Sequence, residues 1–262
     1  DIPLVVVNVV RGGPGLGSIA PSQGDYIQAT RGGGHGDYRC IVLAPKSVQE
    51  CADLTYLAFD LADQYRMPVI VLADGMIGQM MEGVVLPPER PLAELPRRDW
   101  TVGHMAAAPR DARHISSMHL VPEELETKTK ARFVRYDEVK AKEIRYEQTG
   151  PAGNSADLTL VAYGTSARVA LGAKKLAEKE GIKLGIFRPI TLWPFPRDPL
   201  AQIAASGKPF LTVEMSLGQL VDDVNLAVLG RAPVHLLGHS GGVIPTEEEV
   251  FNEVKRILGR KG

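Results

Sequence analysis

The stretch DIPLVVVNVVRGGPGLGSIAPSQGD, residues 1–25, joins a run of β-branched residues to a glycine-rich turn. Ile2 to Val10 has the length of a strand, and its unbroken apolar character is typical of a strand buried on both faces of a parallel sheet. Ligands of open α/β sheets bind at the edge where such strands end. We therefore expect Arg11 to Asp25 to bind the ligand, with Ser22 as the N-cap of a short helix after the turn.

Strand and helix signals alternate along residues 1–86. Arg39 to Leu43 has the composition of a second strand, and Ser47 is a candidate N-cap for an amphipathic helix. Pro68 to Leu72 has the composition of a third strand. Strands separated by helices predict βαβ units, so this part of the chain is expected to form a parallel-sheet domain.

Residues 87–156 are rich in proline and charge, and we predict a connecting excursion there with one helix around Glu123 to Arg135. Strands and helices alternate again over residues 157–262. They predict a second α/β domain, doubly wound if its helices cover both faces of the sheet. Its predicted strands are LTLVAYG, KLGIFRP, PFLTVE and VHLLG, and its predicted helices are Ser166 to Lys179, Pro199 to Ala205, Leu217 to Leu229 and Thr246 to Leu258.

The composition argues against several classes of protein. The 30 basic residues nearly balance the 31 acidic ones, so no overall positive field would hold a nucleic acid. No apolar run reaches the roughly 20 residues that span a bilayer, and the first residues do not resemble a signal peptide. We expect a cytoplasmic protein with no nucleic-acid or membrane partner. The chain lacks an initiator Met and starts inside a strand, so a further segment is expected upstream.

Cys40 and Cys51 are the two cysteines of the chain. An iron–sulfur cluster is generally held by four thiolates, so any such centre is expected on another chain. The spacing of the two cysteines fits no zinc site, and we predict no metal site from them. Isolated cysteines of this kind are more often small buried hydrophobic residues than a disulfide.

Arg11 is the candidate binding residue with the clearest chemistry. It follows the first predicted strand, where a glycine-rich turn lets the backbone approach an anion closely. Its guanidinium suits a carboxylate or a phosphate, because it can donate two parallel hydrogen bonds. The alternative is a plain tight turn in which Arg11 forms a surface ion pair, and the spacing alone does not decide between the two.

A competing motif occupies the same stretch. Gly15, Gly17 and Ala20 satisfy the G-x-G-x-x-A variant of the dinucleotide-binding pattern. Pro21 and Ser22 argue against this interpretation, because they interrupt the helix that the pattern requires. The alternative function is therefore a regulatory module whose glycine turn binds a nucleotide or a phosphate.

Several motifs in order carry a resemblance to a known family. RGGP, QGD, GGGHGDYR, LAPKSVQE and VIVLADG follow one another between Arg11 and Gly75. They are similar to the pyrimidine-type thiamine-diphosphate-binding domain of 2-oxoacid:ferredoxin oxidoreductase α subunits. VAYGTSARVA and FRPITLWPFP resemble that family's transketolase-C-terminal-like domain. The resemblance implies part of a pyrimidine-type parallel-sheet domain in residues 1–86 and a transketolase-C-terminal-like α/β domain in residues 157–262.

The resemblance also implies chemistry that several subunits share. Thiamine diphosphate with magnesium, held mainly by a partner β subunit, attacks the keto carbon, and carbon dioxide leaves. Electrons pass singly to iron–sulfur clusters on other subunits, and coenzyme A accepts the acyl group. The implied partners are the thiamine-diphosphate-binding β subunit, a γ subunit, a ferredoxin-like iron–sulfur subunit, and ferredoxin. The family's catalytic glutamate lies upstream of the matched segment, so no catalytic residue is assigned and the chain alone is expected to be inactive.

In this family the arginine that matches Arg11 contacts the substrate carboxylate. Gly12, Gly13 and Ala20 are the expected substrate-binding neighbours of this arginine. Many members continue RGGP with Ser-Thr-Gly and carry a threonine at the position of Ala20, whereas this chain continues with GLG. Apolar or absent side chains serve the second carboxylate of 2-oxoglutarate poorly and a branched alkyl group better, so the predicted substrate is a branched-chain 2-oxoacid such as 2-oxoisovalerate.

Three further positions complete the prediction. His35, in GGGHGD, is expected either to donate to the substrate or the diphosphate, or to cap a carbonyl of its own loop. Asp74, after the third strand, is the candidate cofactor-binding residue, although Asp-Gly is also a common turn. Trp193 and Phe195, in TLWPFP, are expected to pack at a domain or subunit interface.

Overall fold

A computed structural model of the chain describes residues 2–95 and 115–260. The first of its two sheets has the strand order β1-β3-β2-β7. Strands β1, β3 and β2 are parallel, as predicted, and β7 pairs with β2 in the antiparallel sense. The strands are β1 (Leu4–Val10), β2 (Ile41–Leu43), β3 (Pro68–Asp74) and β7 (Thr191–Trp193).

The three α-helices of residues 2–86 begin differently, since two have a side-chain cap and one does not. They are α1 (Tyr26–Thr30), α2 (Val48–Tyr65) and α3 (Gly75–Gln79), with a 3-10 turn at Gly32–Gly34. Ser47 caps α2 as predicted, because its side chain accepts a hydrogen bond from the backbone of Glu50. The prediction for Ser22 is wrong. Asp25 is the residue before α1, and the Ser22 hydroxyl instead donates to the carbonyl oxygen of Met215 at 3.2 Å.

Strand β1 is where predicted, but it is not buried on both faces. It is the first strand in the order of its sheet, and Leu4 and Val7 are 57% and 56% exposed. Val10 is buried and Val5 packs against the main core. An unbroken apolar run cannot distinguish a central strand from an edge strand, because both are equally hydrophobic in sequence.

The second sheet has the order β4-β6-β5-β8-β9, with β4 antiparallel and the other strands parallel. Helices α5 and α8 pack on one face, and α6 and α7 pack on the other, so the predicted doubly wound arrangement is confirmed. The elements are β4 (Tyr146–Thr149), β5 (Leu158–Val161), α5 (Gly164–Lys179), β6 (Leu184–Pro189), α6 (Arg197–Ala204), β8 (Phe210–Glu214), α7 (Leu220–Val228), β9 (Val234–Gly238) and α8 (Glu247–Ile257).

The two sheets exchange strands across the predicted domain boundary. Strand β4 precedes residue 157 yet belongs to the second sheet, and β7 follows that residue yet belongs to the first. Sequence periodicity missed β4 because its four residues, YEQT, are largely polar. In the predicted excursion the helix is longer than expected, α4 (Pro122–Lys142), and 3-10 turns occur at Leu92–Glu94 and Gly153–Ser155. Residues 96–114 of that excursion lie outside the described residues.

Helix α4 packs against the β7 region. The Trp193 ring meets the Tyr136 ring of α4 edge-to-face, with centroids 5.7 Å apart, and Phe195 is also buried. Both side chains therefore act in packing, and their place at a domain or subunit interface stays a prediction. Among the described helices, none has both the length and the apolar character of a membrane span.

Both cysteines are free thiols, Cys40 buried and Cys51 half-buried. Burial raises the pKa of both thiols, and nearby carboxylates raise the pKa of Cys51 further. Because only a thiolate is a good nucleophile or metal ligand, these side chains act as small hydrophobic residues.

Candidate functional site

The carboxyl edges of the two sheets face each other. Residues 11–21, which we call the glycine loop, follow β1 and lie against the segment that follows β9. Gln23, just after this loop, lies against the segments that follow β5 and β8. Among the contacts that join the two halves, Gln23 is bonded to Met215 and Tyr163, Asp74 to Thr165, and Ser18 to Gly241. Ligands of α/β proteins bind at such edges and at domain interfaces, so the candidate site lies here.

The glycine loop is closed on itself by its backbone. Its first and last residues pair in an antiparallel bridge. The Gly12 amide donates to the carbonyl oxygen of Ala20 and the Ser18 amide to that of Gly12, both at 2.8 Å. At Gly17 φ is +46°, and a Cβ there would lie 1.9 Å from the Gly12 oxygen, so this turn requires glycine.

The Arg11 guanidinium lies inside this loop. Nη1 donates to the carbonyl oxygens of Leu16 at 2.6 Å, Gly12 at 3.0 Å and Ser18 at 3.4 Å, and Nη2 donates to that of Gly15 at 3.1 Å. No carboxylate in residues 2–95 or 115–260 forms an ion pair with Arg11. Carbonyl oxygens orient a guanidinium without cancelling its charge, so an exposed cation remains available to an anion at the carboxyl end of β1.

The other predicted substrate-binding residues differ in their surroundings. Gly13 is exposed, whereas Gly12 is buried beneath Ser18 and the backbone of Gly241. Ala20 is half-buried, and its Cβ faces Gly242 of the second domain. His35 is exposed, and within the described part of the chain no hydrogen bond or ion pair joins its ring to the glycine loop. A substrate contact by these residues stays a prediction.

Asp74 has a different environment from the accessible carboxylate expected of a cofactor-binding residue. It is buried, since the second domain covers the end of β3. Its carboxylate accepts from the Thr165 amide at 2.8 Å, the Thr165 hydroxyl at 2.6 Å and the Ile77 amide at 3.2 Å. Asp74 thus caps α3 and holds the first turn of α5. A contact between Asp74 and a cofactor stays a prediction that this geometry does not favour.

Gln23 is a junction residue that sequence reasoning missed as a site residue, although its QGD motif contributed to the resemblance. The second sheet reverses its winding between β5 and β8, and such sheets usually bind ligands in the crevice at that point. Gln23, itself buried, enters this crevice from the first domain. Its Nε2 donates to the Tyr163 carbonyl at 2.9 Å, and its Oε1 accepts from the Met215 amide at 2.9 Å and the Ser166 hydroxyl at 3.3 Å.

Occupation of the crevice by Gln23 counts against the nucleotide-binding alternative. The region where a doubly wound domain would hold a nucleotide is filled by the chain's own side chain. The glycines of the G-x-G-x-x-A match also do not open a helix, because α1 begins at Tyr26, well after Ala20. The match to the dinucleotide pattern is therefore a chance match, as Pro21 indicated.

Two buried tyrosines lie beside Gln23. The rings of Tyr26 and Tyr163 are 5.8 Å apart, and the Tyr26 hydroxyl donates to the buried carboxylate of Asp223 at 2.7 Å. Burial raises the pKa of both tyrosines, and the neighbouring carboxylates raise it further. Both therefore stay protonated, and they act as packing and hydrogen-bonding groups rather than as acids.

The described residues offer an anion site and no metal site. Within residues 2–95 and 115–260, no group of three or more His, Cys, Asp or Glu residues is placed to hold a metal ion. The exposed charge at the glycine loop is that of Arg11. The arrangement can therefore bind and orient an anionic ligand at the junction of the two sheets.

Comparison with known proteins places both halves of the chain. Residues 1–151 match the family model described as pyruvate flavodoxin/ferredoxin oxidoreductase, thiamine diphosphate-binding, and residues 156–250 match pyruvate:ferredoxin oxidoreductase core domain II. The chain is 43% identical to ketoisovalerate oxidoreductase subunit VorB of Methanothermobacter marburgensis, covering 99% of this chain and 72% of that protein. It is 35% identical to 2-oxoglutarate synthase subunit KorA of the same organism, covering 100% of this chain and 74% of that protein.

A solved structure shows the same arrangement. It is 2-oxoglutarate:ferredoxin oxidoreductase from Magnetococcus marinus with 2-oxoglutarate, coenzyme A and succinyl-CoA bound. The TM-score is 0.78 at 25% identity, over 98% of this chain and 49% of the other, so this chain spans about half of its length. The family models, the relatives and this fold agree over almost the whole sequence, and the chain belongs to the 2-oxoacid:ferredoxin oxidoreductase family.

Proposed function

We propose that this chain supplies the 2-oxoacid carboxylate site of an oxidoreductase that converts a branched-chain 2-oxoacid to its acyl-CoA with ferredoxin as electron acceptor. Its relatives are subunits of larger enzymes, so it acts with partner subunits. The proposed partners are a thiamine-diphosphate-binding β subunit, a γ subunit and a ferredoxin-like iron–sulfur subunit, in the cytoplasm. The observation that carries the proposal is the Arg11 guanidinium, oriented by loop carbonyls and exposed at the carboxyl end of β1.

Thiamine diphosphate, when bound, supplies the nucleophile for the keto carbon. The matching family model is described by its binding of this cofactor. The described residues of this chain suit an anion, through Arg11 and the backbone of the glycine loop, but they include no cluster of metal ligands. We therefore assign magnesium and most diphosphate contacts to the partner subunit and assign to this chain the binding of the oxoacid.

Arg11 acts by positioning the substrate. Decarboxylation removes the charge that Arg11 holds, so a tight grip stabilises the bound acid more than the transition state. The benefit lies in holding the keto carbon at a fixed distance and angle from its nucleophile. Loss of this side chain should weaken substrate binding more than it lowers the reaction rate of the bound substrate.

The apolar tip of the glycine loop supports a branched-chain substrate. Leu16 and Ile19 are 95% and 91% exposed beside the Arg11 cage, so an alkyl group could bury part of their surface. No cation other than Arg11 occurs within the glycine loop to pair with a second carboxylate. The higher identity to the ketoisovalerate enzyme subunit than to the 2-oxoglutarate enzyme subunit agrees with this preference.

The proposal is tested with Arg11→Ala in the assembled enzyme. Loss of a charge-assisted bidentate contact should raise KM for 2-oxoisovalerate about 10- to 100-fold, with kcat within about threefold of the unmodified enzyme. Arg256→Ala, which removes an exposed arginine of α8, is the matched control and should leave both constants unchanged.

Two results would contradict the proposal. The first is a collapse of kcat at unchanged KM in Arg11→Ala, which would place Arg11 in the chemical step instead of in binding. The second concerns the substrate class. We expect kcat/KM for 2-oxoisovalerate to exceed that for 2-oxoglutarate by about tenfold or more, since an apolar pocket leaves the second carboxylate unpaired. A preference for 2-oxoglutarate would rule out the branched-chain assignment.

A further inference from the structure

We infer that the second domain sets the position of Arg11, through a lock in which Ser18 and Gly242 are positioning residues for the oxoacid carboxylate. The lock joins the glycine loop to residues 239–243, which follow β9 and which we call the β9 loop. The inference deepens the proposed function and rests on it, because it concerns how the same Arg11 site is held.

The Ser18 hydroxyl is the polar half of the lock. Its Oγ donates to the carbonyl oxygen of Gly241 at 2.8 Å and accepts from the Ala20 amide at 3.2 Å. The carbonyl oxygen of Ser18 also accepts from Nη1 of Arg11 at 3.4 Å. One residue therefore contacts both the β9 loop and the guanidinium, so a displacement of Ser18 moves the cage that aims Arg11.

Gly242 is the packing half of the lock. A Cβ built at this position would lie 2.3 Å from the Cβ of Ala20 and 2.8 Å from Oγ of Ser18. Real Cβ atoms do not approach other non-bonded atoms so closely, so any side chain at position 242 would push the two loops apart. The φ of Gly242 is +101°, which further favours glycine.

The glycine loop needs such support because of its own composition. Four of its 11 residues are glycines, at positions 12, 13, 15 and 17, and glycine has the largest backbone entropy to lose. A loop that holds the binding geometry for only part of the time binds its ligand correspondingly more weakly. Once the substrate is bound, the reacting groups are unchanged. Loosening the lock should therefore raise KM and leave kcat nearly constant.

The lock also changes the interpretation of Ala20. Its Cβ faces Gly242, so a larger side chain there would press first on the β9 loop. Ala20→Thr is therefore expected to alter substrate binding through the position of the glycine loop. Its effect should resemble that of Gly242→Ala, with a raised KM for 2-oxoisovalerate and a more mobile loop.

The test uses Ser18→Ala and Gly242→Ala in the assembled enzyme. Steady-state kinetics with 2-oxoisovalerate are combined with amide hydrogen exchange of residues 11–21. Loss of the two hydrogen bonds of the Ser18 hydroxyl should raise KM about fivefold in Ser18→Ala, with kcat within about twofold. Exchange in the glycine loop should become faster in both variants, and Ser18→Thr, which keeps the hydroxyl, should restore slow exchange and most of the affinity.

Matched controls separate the lock from general damage. Ser240→Ala removes a hydroxyl from the same β9 loop. Within the described residues this hydroxyl makes no hydrogen bond. Gly181→Ala adds a Cβ at φ +70° where no other atom lies within 4 Å. Both variants should leave KM and loop exchange unchanged. Unchanged KM and exchange in Ser18→Ala, beside a raised KM in Arg11→Ala, would overturn the lock and leave the proposed function standing. An unchanged KM in Arg11→Ala would instead overturn the proposed function.

Discussion

Arg11 and Arg188 have the same side chain in opposite surroundings. Arg188, in β6, is 3% exposed, and its guanidinium donates to both carboxylate oxygens of Glu50 at 2.8 and 2.9 Å. Its Nε donates to Glu147 at 2.9 Å. Arg11 is exposed and, within the described residues, bonds only to carbonyl oxygens of its own loop.

The difference separates a structural cation from a binding one. An unpaired buried charge costs several kcal/mol, so Arg188 requires its two carboxylates and in return joins α2 of the first domain to the second sheet. An exposed arginine has no such requirement. Loop carbonyls can fix the direction of Arg11 while its charge remains for a ligand. The pairing state of an arginine thus distinguishes two roles that residue type alone does not.

The largest expected effect comes from removing the main partner of Arg188. Glu50→Gln should lower the free energy of unfolding by about 3 kcal/mol, because it leaves a buried guanidinium half-paired. The unfolding midpoint of the assembled enzyme should fall by several degrees. Arg11→Met, measured in parallel, should lower stability by less than about 1 kcal/mol, since that side chain is exposed.

Glu178→Gln is the control that measures how much an ordinary surface ion pair contributes to stability. Glu178 pairs with Lys174 on the surface of α5, and the loss should not exceed about 0.5 kcal/mol. If Glu50→Gln destabilises no more than Glu178→Gln, the distinction between the two arginines has no energetic basis.

The next effect concerns the buried side chain that fills the second sheet's crevice. Gln23→Ala should cost about 2 kcal/mol, because it leaves the buried Met215 amide without a partner and removes one of the two donors to the Tyr163 carbonyl. Gln148→Ala, at an exposed position in β4, should cost less than about 0.5 kcal/mol. Thermal unfolding of the assembled enzyme measures both. Equal losses would show that Gln23 does not hold the two domains together.

Much of the fold was predictable from sequence. The second domain's strands and helices have strong apolar periodicity, and each predicted element occurs within a few residues of its expected bounds. Periodicity is reliable where one face of an element packs on a core. It missed β4, whose polar residues pair at the sheet edge, and it placed β1 correctly but not the exposure of its apolar residues.

The candidate site was predictable only at the level of its loop. Arg11 follows from its place after a strand, which is local information. The contacts of Ala20 with Gly242, of Gln23 with Met215 and of Asp74 with Thr165 join residues far apart in the chain, and no local pattern encodes them. Asp74 is an example. The local sequence around an aspartate at a strand end is the same whether its side chain faces a ligand or a neighbouring domain.

Asp74→Asn distinguishes these two roles. If Asp74 holds Thr165, stability should fall by about 1–2 kcal/mol and the apparent affinity for thiamine diphosphate should stay within about twofold. Thr165→Val removes the same hydroxyl bond from the other side, so the double variant should lose less than the sum of the two. A stable enzyme that needs far more thiamine diphosphate would instead show that Asp74 binds the cofactor.

The smallest expected effect is a pH dependence of stability that comes from Glu147, the second partner of Arg188. Burial opposes the charge of Glu147, but the hydrogen bond from Lys46 at 2.5 Å and the charge of Arg188 outweigh it, and the pKa of Glu147 lies below its ordinary value. The stability from this group is therefore present above the ordinary carboxyl pKa of about 4.3 and is lost as pH falls through the lowered pKa.

Glu147→Gln tests this sign. Because the Glu147 side chain is 37% exposed and partly screened by solvent, the variant should lose less than about 1 kcal/mol at neutral pH. The difference between the two enzymes should shrink as pH falls below about 4, because the carboxylate of the unmodified enzyme becomes protonated there. The measurement is the free energy of unfolding of both enzymes in denaturant between about pH 3 and pH 7, roughly the range in which carboxylates titrate. A difference that stays constant to the acid limit would mean that the charge of Glu147 contributes nothing to stability, and that the carboxylate of Glu50 alone suffices to bury the guanidinium of Arg188 at this junction.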